Sequence, residues 1–274
     1  MLNFPKVGRR PARVQTDFRA RYGPWAVVAG GSEGLGAAFA DALARRGLNL
    51  VLLADGVAAL EATAQKLATS CGIQVRPLVC DLGDAKFVAK LVRRTSDIEI
   101  GLGVYNAAYS FIGKFFDRPI EDSLRVLDVN CAGPLRFLHA IVPPMLARGR
   151  GGVVLVSSLA GAQGTPRLSA YAASKAFNIV LGESLWAELG AHGVDVLVSC
   201  PGAIRTPGYS KASKREAPGT LDASVVAERT LAALGNGPRY VPGGMNKVAS
   251  FLLGRLVPRT AAIKLMAKST EGLS

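Results

Sequence analysis

The alternation of apolar and amphipathic segments from Trp25 onward constrains the fold more than any other feature of the sequence. Short apolar runs rich in Val, Leu and Ile predict strands at 25–29, 48–53, 73–79, 100–105, 152–157, 194–200 and 239–241. Longer amphipathic segments between them predict helices at 35–46, 57–70, 84–95, 120–131, 134–148, 169–190 and 222–235. Strands this uniformly apolar are covered on both faces, which is typical of a parallel sheet between two layers of helices.

This order of strands and helices predicts repeated βαβ units. We therefore expect an α/β fold, namely a doubly wound, Rossmann-type, seven-stranded parallel sheet in a single domain. A length of 274 residues and a hydrophobic fraction of 49% supply enough apolar surface for such a core, and they exclude a disordered chain.

The net charge of +13 is concentrated toward the two ends of the chain. We divide the sequence into a basic N-terminal arm at 1–22, a central domain at 23–244 with a long loop at 203–220, and a basic amphipathic tail at 245–274. Such basic ends are compatible with solvated arms, with peripheral membrane contact or with a protein partner. No aromatic residues are interleaved with the basic ones, so we do not expect nucleic acid as a partner.

The four cysteines have no CxxC spacing, and a chain of this size needs no disulfides for stability. We predict reduced thiols in the cytoplasm. The two histidines, His139 and His192, lie far apart without ligand spacing, so we predict no metal site. The longest uncharged stretch, at 151–166, is too short and too polar for a membrane span.

A glycine-rich turn follows the first predicted strand and leads directly into a helix. It contains Gly30, Gly34 and Gly36 in a GxxxGxG spacing. Small residues at such a turn allow a ligand to approach the backbone, and the amides at the start of the helix attract an anion such as a pyrophosphate. A plain turn is the alternative interpretation.

Tyr171 and Lys175 are four residues apart in a predicted helix, so they lie one turn apart on the same face. A phenol with a pKa of about 10 is a poor acid or base at neutral pH, and a neighbouring ammonium brings that pKa toward the working range. The same spacing also occurs by chance in ordinary amphipathic helices.

The order of these motifs along the chain is more specific than any one of them. After the GxxxGxG turn come Asn106-Ala107-Ala108, then Asn130, then Ser157-Ser158, and the YxxxK motif begins thirteen residues beyond Ser158. Over residues 24–243 this order resembles that of the classical short-chain dehydrogenase/reductase family.

The resemblance implies an oxidoreductase, a ketoreductase in one direction, that transfers hydride between a nicotinamide cofactor and a hydrophobic ketone or secondary alcohol. It implies that Tyr171 is the acid/base, that Ser158 binds the substrate oxygen, and that Lys175 binds the nicotinamide ribose and lowers the pKa of Tyr171. Asn130 would hold a water in the proton relay. The alternative is a non-catalytic dinucleotide-binding scaffold or sensor.

The resemblance also implies a set of cofactor contacts. These are Gly30, Ser32, Glu33, Gly34, Leu35, Gly36, Asp55, Asp81, Leu82, Asn106, Ala107, Tyr171, Lys175, Pro201, Gly202, Ile204 and Thr206. NAD(H) is favoured, because Glu33 and Asp55 would repel the 2′-phosphate of NADP(H), although Arg45 or Arg46 keeps NADP(H) open. Ala29, Tyr105 and Ala108 depart from the family pattern.

We expect Tyr109, Gln163 and Tyr209 to contact the small-molecule substrate. The basic residues Lys211, Lys214 and Arg215 suggest an anionic handle on that substrate, and a solvated loop explains the same charges equally well. The resemblance further implies a homo-oligomer that pairs through the 120–131/134–148 region and the YxxxK helix.

Overall fold

A sheet of seven parallel strands forms the centre of the fold in the computed structural model, which describes residues 18–212 and 216–271. The strands in chain order are β1 Trp25–Ala29, β2 Asn49–Ala54, β3 Val75–Val79, β4 Ile100–Tyr105, β5 Gly151–Val156, β6 Val194–Ser199, β7 Ile204–Arg205, β8 Leu221–Asp222 and β9 Arg239–Tyr240. The large sheet has the order β3-β2-β1-β4-β5-β6-β9, while β7 and β8 form a separate parallel pair. The predicted doubly wound, seven-stranded parallel sheet is confirmed.

Helices cover both faces of this sheet. In chain order they are α1 Phe18–Tyr22, α2 Gly34–Ala44, α3 Val57–Cys71, α4 Lys86–Thr95, α5 Ile120–Leu127, α6 Gly133–Arg148, α7 Ser169–Gly190, α8 Pro207–Ala212, α9 Ala223–Ala233, α10 Gly244–Arg255 and α11 Arg259–Glu271. None of the helices within the described ranges is long and apolar enough to cross a membrane.

Strand β1 explains why the predicted strands lack a polar alternation. Its five residues are all buried, and its side chains divide between two separate cores. Ala26 and Val28 pack into one core, and Val27 and Ala29 pack into the other. A central strand of this kind must be apolar on both faces, which is the pattern seen in the sequence.

The last five residues of the basic N-terminal arm predicted at 1–22 form α1, which packs against β4 and β5. Tyr22 is buried and donates its hydroxyl hydrogen to Asp195 Oδ2 at 2.8 Å. Arg21 pairs with the same buried carboxylate, to which its Nε also donates at 2.7 Å. A buried carboxylate needs such partners, so residues 18–22 belong to the domain. The rest of the predicted arm, 1–17, lies outside the described residues.

The long loop predicted at 203–220 contains regular structure. Ile204 pairs with Leu221 as β7 meets β8, and α8 lies between these strands. Arg205 braces the segment by donating to Glu216 at 2.5 Å and to Asp222 at 2.9 Å. Of the predicted basic cluster, Lys214, Arg215 and the side chain of Lys211 lie outside the described part of the chain.

The predicted basic amphipathic tail forms two helices, α10 and α11, which lie on either side of Pro258 in the sequence. Helix α11 packs against the segment that follows β5. Arg259 Nη1 donates to the Ala162 carbonyl at 2.8 Å, and Thr270 Oγ1 donates to the Pro166 carbonyl at 3.0 Å. Ala262 is fully buried between these contacts. The tail therefore covers the carboxyl-terminal side of β5.

Candidate active site

The glycine-rich turn packs so closely against its surroundings that side chains have no room there. Gly30 has a φ of 75°, and a Cβ at this residue would lie 2.8 Å from the backbone nitrogen of Ala107. A Cβ at Gly36 would lie 1.7 Å from the Gly30 carbonyl oxygen. The turn is thus a backbone cradle at the start of α2, of the kind that admits a pyrophosphate.

Asn106 connects this turn to β4. Its side-chain Nδ2 donates to the Gly30 carbonyl at 3.1 Å, and the backbone amides of Asn106 and Ala107 both donate to the Ala29 carbonyl at 3.0 Å. Asn106 therefore fixes the conformation of the turn from the neighbouring strand.

A cleft of ≈ 250 Å³ lies at the carboxyl ends of β1, β2, β3 and β4. Nine of the predicted contact residues line it, namely Gly30, Ser32, Glu33, Asp55, Asp81, Leu82, Asn106, Ala107 and Tyr109. Dinucleotides bind at this edge of doubly wound sheets, beside the point where the strand order reverses. The cradle and the cleft together fit a dinucleotide.

Other predicted cofactor contacts lie around this cleft rather than along its lining. Leu35 is buried in the core, and Gly34 approaches the Thr206 side chain so closely that a Cβ would lie 3.2 Å from Thr206 Cγ2. Ile204 packs against the core from β7. The Pro201 carbonyl accepts from the Leu159 amide at 3.0 Å. The structure therefore brings Thr206 to the glycine turn and connects Pro201 to the segment after β5.

Sequence reasoning missed Arg125, which also lines the cleft. Its Nη2 donates to Asp81 Oδ1 at 2.6 Å, and the Gly83 amide donates to the same oxygen at 2.8 Å. The hydrogen bond from Arg125 lowers the pKa of Asp81. No sequence signal links α5 to the end of β3, because this contact depends on the tertiary fold.

Arg45 and Arg46, the arginines that keep NADP(H) open, are engaged elsewhere. Both donate to Glu228 on α9, at 2.9 Å and 2.5 Å respectively, and Arg45 also pairs with Asp41. Neither residue lines the cleft.

Asn130 lies in a π-helical segment, Asp128–Ala132, between α5 and α6. It is fully buried, and its Nδ2 donates to the Tyr109 carbonyl and to Ser174 Oγ, both at 2.9 Å. Its Oδ1 accepts from the Tyr109 amide at 2.8 Å, and its carbonyl accepts from Asn178 Nδ2 at 2.8 Å. A π-turn releases backbone groups from the helical hydrogen-bond pattern, which leaves the Asn130 carbonyl available to Asn178. Through these hydrogen bonds Asn130 joins Tyr109, in the cleft wall, to α7.

Ser158 and Tyr171 lie within hydrogen-bonding reach of each other, one after β5 and the other in the first turn of α7. Burial raises the pKa of Tyr171, and the hydrogen bond with Ser158 lowers it in part. Ser158 Oγ also accepts from the Ala160 amide at 3.1 Å. The neighbouring Ser157 is buried and donates to the Lys175 carbonyl at 2.7 Å, so Ser158 is the serine that reaches Tyr171.

Lys175 lies beneath the phenol, with Nζ 5.4 Å from the centroid of the Tyr171 ring. The Nζ donates to the Val156 carbonyl at 2.9 Å. Burial lowers the pKa of Lys175 to about 8. Burial of the phenol raises the pKa of Tyr171, so its net shift runs opposite to the lowering expected from the ammonium.

The three predicted substrate residues lie in different places. Tyr109 lines the dinucleotide cleft, whereas Gln163 is buried and lines a second cavity of ≈ 610 Å³ together with Phe115 and Ile263. The hydroxyl of Tyr209 accepts from the Ala217 amide at 2.9 Å and thereby braces the 203–220 segment.

Asn246 on α10 is a second residue that sequence reasoning missed. It is buried, and its Nδ2 donates to the carbonyls of Gly219 and Pro242, both at 3.1 Å. A Cβ at Gly202 would lie 2.9 Å from Asn246 Oδ1. Asn246 thereby connects the tail to the predicted Pro201-Gly202 segment. The sequence shows only a single asparagine in an amphipathic helix, which does not indicate this contact.

Comparisons with known proteins agree with this geometry. The sequence model of the short chain dehydrogenase family matches residues 24–217. The inactive hydroxysteroid dehydrogenase-like protein 1 of Mus musculus is 32% identical over 77% of this chain and 64% of its own length, so the chain spans less than two thirds of that relative.

Two solved structures are similar throughout the domain. One, from a study of 7beta-hydroxysteroid dehydrogenase stereoselectivity, has a TM-score of 0.86 and 25% identity, and the match covers 92% of this chain and 99% of the other. The other is a short-chain dehydrogenase from Sphingobium yanoikuyae in complex with NADPH. It has a TM-score of 0.73 and 29% identity, with 80% and 87% of the two chains covered.

Proposed function

The chain belongs to the short-chain dehydrogenase family, and from this premise we propose that it is an NAD(P)-dependent oxidoreductase acting on a hydrophobic ketone or secondary alcohol. The proposal rests on the position of Ser158, Tyr171 and Lys175, which lie together beside a dinucleotide cleft. Asn130 connects this group of residues to Tyr109 in the wall of the cleft. A purely structural protein has no need of this combination.

In the proposed reaction Tyr171 transfers the proton. A nicotinamide cofactor held by the glycine turn and the cleft would supply or accept the hydride. Ser158 donates a hydrogen bond to the substrate oxygen and holds it next to the Tyr171 hydroxyl. Since burial raises the pKa of Tyr171, the phenol keeps its proton at neutral pH, which suits the acid that reduction of a ketone requires.

Lys175 is the proposed source of positive charge below the phenol. With a pKa of about 8, it is mostly protonated at neutral pH although it is buried. Its charge stabilises the phenolate that remains after the proton has left Tyr171. Asn130 keeps the wall at Tyr109 in place through its two hydrogen bonds with that backbone, and in the proposal it also holds the relay water.

For the cofactor we propose NAD(H). Glu33 and Asp55 both line the cleft and would repel a 2′-phosphate, while Arg45 and Arg46 pair with Glu228 instead. The NADPH complex of the similar Sphingobium protein gives no support to this preference. Fluorescence titration with NADH and NADPH decides between them, and tighter binding of NADPH would overturn the choice.

A non-catalytic dinucleotide-binding protein is the second candidate. It is favoured by the mouse relative, whose name describes it as inactive. The two candidates differ in turnover but not in cofactor binding. We therefore propose a panel of hydrophobic ketones and alcohols, steroids included, followed at the nicotinamide absorbance with both cofactors. Cofactor binding without turnover of any member would favour the scaffold.

We also propose a homo-oligomer in a reducing compartment such as the cytoplasm. An apolar groove of ≈ 300 Å³ between α6 and α7, lined by Leu138, Val142, Leu181 and Leu185, supports pairing through these helices. The free state of all four cysteines supports the compartment. Sedimentation equilibrium measures the oligomeric state, and localisation of a tagged full-length chain identifies the compartment.

A further inference from the structure

Helix α10 presents its apolar side chains to solvent. The exposed fractions are 62% for Met245, 59% for Val248, 55% for Phe251 and 41% for Leu252, and Leu256 directly after the helix is 65% exposed. Together these residues form what we call the α10 face. A contiguous exposed apolar surface of this kind marks a contact with a partner or a membrane.

The orientation of α10 is set by its opposite side. Asn246 is the buried residue of the helix, and it bonds to Gly219 and Pro242. Met245, Val248 and Leu252 follow one another at helical spacing, three and four residues apart, so they share one stripe on the other side. A surface helix of a globular domain normally turns such a stripe toward the core, and α10 turns it outward.

The charged residues of α10 itself are both basic. Lys247 and Arg255 flank the apolar residues, and no Asp or Glu occurs between residues 244 and 270 of the sequence. A groove of ≈ 650 Å³ beside the helix is lined by Arg239, Lys247 and Arg255, without an acidic residue in its lining. Phe251 lines the same groove, so the cationic and apolar surfaces are continuous.

We propose that the α10 face docks on an anionic lipid bilayer. Its apolar side chains enter the boundary between headgroups and acyl chains, and Lys247 and Arg255 pair with lipid phosphates. A second copy of this chain fits the surface less well. Symmetric pairing would bring two sets of these cations together with no carboxylate to compensate them.

Docking through α10 would also affect the proposed function. This consequence, unlike the docking itself, rests on the proposed function. Asn246 joins the helix to the 203–220 segment, and Gly161 and Ala162, shortly after Ser158, line the same groove. A docked protein would therefore keep the substrate side of the domain near the lipid, where hydrophobic ketones and alcohols partition.

Co-sedimentation of the full-length protein with vesicles tests the docking without any measurement of turnover. We expect binding to vesicles that contain phosphatidylglycerol, weaker binding to phosphatidylcholine alone, and a loss with added salt. Replacement of both cations, Lys247→Glu with Arg255→Glu, weakens binding at least about tenfold. Phe251→Ser with Leu252→Ser weakens it to a similar extent in both low and high salt.

Matched controls lie on α4, where Arg93 and Arg94 are exposed and Val92 is 49% exposed. The pair Arg93→Glu and Arg94→Glu makes the same change in net charge, and Val92→Ser removes an exposed apolar side chain that lies outside the α10 face. Both controls should retain vesicle binding. Circular dichroism and the melting temperature Tm establish that each variant is folded before it is scored.

Three results would overturn the docking. The first is absence of binding of the wild-type chain to phosphatidylglycerol vesicles. The second is full binding by both folded α10 variants, which would assign the contact to basic residues elsewhere. The third is that the α10 variants bind vesicles as the wild type does but lose oligomers in sedimentation equilibrium. That result would assign the α10 face to contact with a second copy of the chain. Because none of these readouts measures turnover, the oxidoreductase proposal stands or falls separately.

Discussion

Arg125 and Asp81 form an ion pair in the wall of the dinucleotide cleft, with Nη2 2.6 Å from Oδ1. They come from α5 and from the segment after β3, which are far apart in the sequence. The pair leaves Glu33 and Asp55 as the carboxylates of the cleft lining that form no ion pair with residues in 18–212 or 216–271. Its integrity therefore controls how negative the cleft is.

We predict that Arg125→Gln weakens binding of NADH about tenfold and binding of NADPH more strongly. Without its partner Asp81 adds a third carboxylate charge to the cleft, and both cofactors are anionic. Fluorescence titration gives the two dissociation constants. Arg136→Gln is the matched control, because Arg136 donates to the Gly83 carbonyl at 3.2 Å but is not part of the cleft lining. Equal affinities for wild type and Arg125→Gln would contradict this role.

Tyr171→Phe should lower kcat by roughly 10²–10⁴, the range for loss of a general acid or base. The affinity for NADH should change little, because the ring and its packing remain. Steady-state kinetics with a ketone that the wild-type protein reduces gives the change in kcat. Cofactor titration gives the change in affinity for NADH. Tyr240→Phe removes a hydroxyl outside the proposed proton path and should retain turnover. Undiminished turnover of Tyr171→Phe would remove the acid/base assignment.

Lys175 should make stability depend on pH in the alkaline range. Its pKa is about 8 in the folded protein and about 10.4 when unfolded, so unfolding takes up a proton between these values. The free energy of unfolding should therefore rise as the pH rises from about 8 to about 10, by about 3 kcal/mol at most. Urea unfolding measures this rise.

The control for this pH dependence is Lys175→Met, which should lack the rise. Lys247→Met, on the exposed face of α10, should keep it. A rise of equal size in Lys175→Met would assign the effect to another group.

Asp195 should be important for stability and unimportant for cofactor binding. Its replacement in Asp195→Ala leaves the buried Tyr22 hydroxyl and the Arg21 guanidinium without this carboxylate, at a cost of about 3 kcal/mol. Chemical denaturation measures the loss. Asp97→Ala breaks an exposed pair with Arg76 and should change the stability far less. Similar small losses for both variants would mean that α1 contributes little to the domain.

The sheet could be predicted because the apolar composition of its strands reflects their burial on both faces. Residues such as Val27 and Val28 point to opposite cores, so both had to be apolar, and the pattern was visible without a structure. The glycine turn and the pair Tyr171 and Lys175 were predictable for a similar reason, since each is a local spacing. The strand ends agree with the prediction to within two residues.

The features that the sequence did not predict depend on contacts between distant segments. Arg125 meets Asp81 only because the fold brings the two segments together after β3, and Asn246 meets Gly219 only because the tail folds back. The direction of the Tyr171 pKa also followed from burial, which a YxxxK spacing does not report. Local pattern thus predicted the scaffold and several residues of the candidate site, whereas tertiary packing decided the electrostatics of that site.

The π-turn at Asp128–Ala132 makes this part of the chain unusually tolerant of a change in length. A π-turn holds one residue more than a regular helical turn, so removing one residue there would leave continuous α-helix and keep the downstream residues in position. Removing a residue from the regular part of α6 would instead rotate everything beyond it by about 100°, and Ile141 and Met145, now buried in the core, would swing toward water. Single-residue deletions that survive random mutagenesis should therefore fall within Asp128–Ala132 rather than in α6.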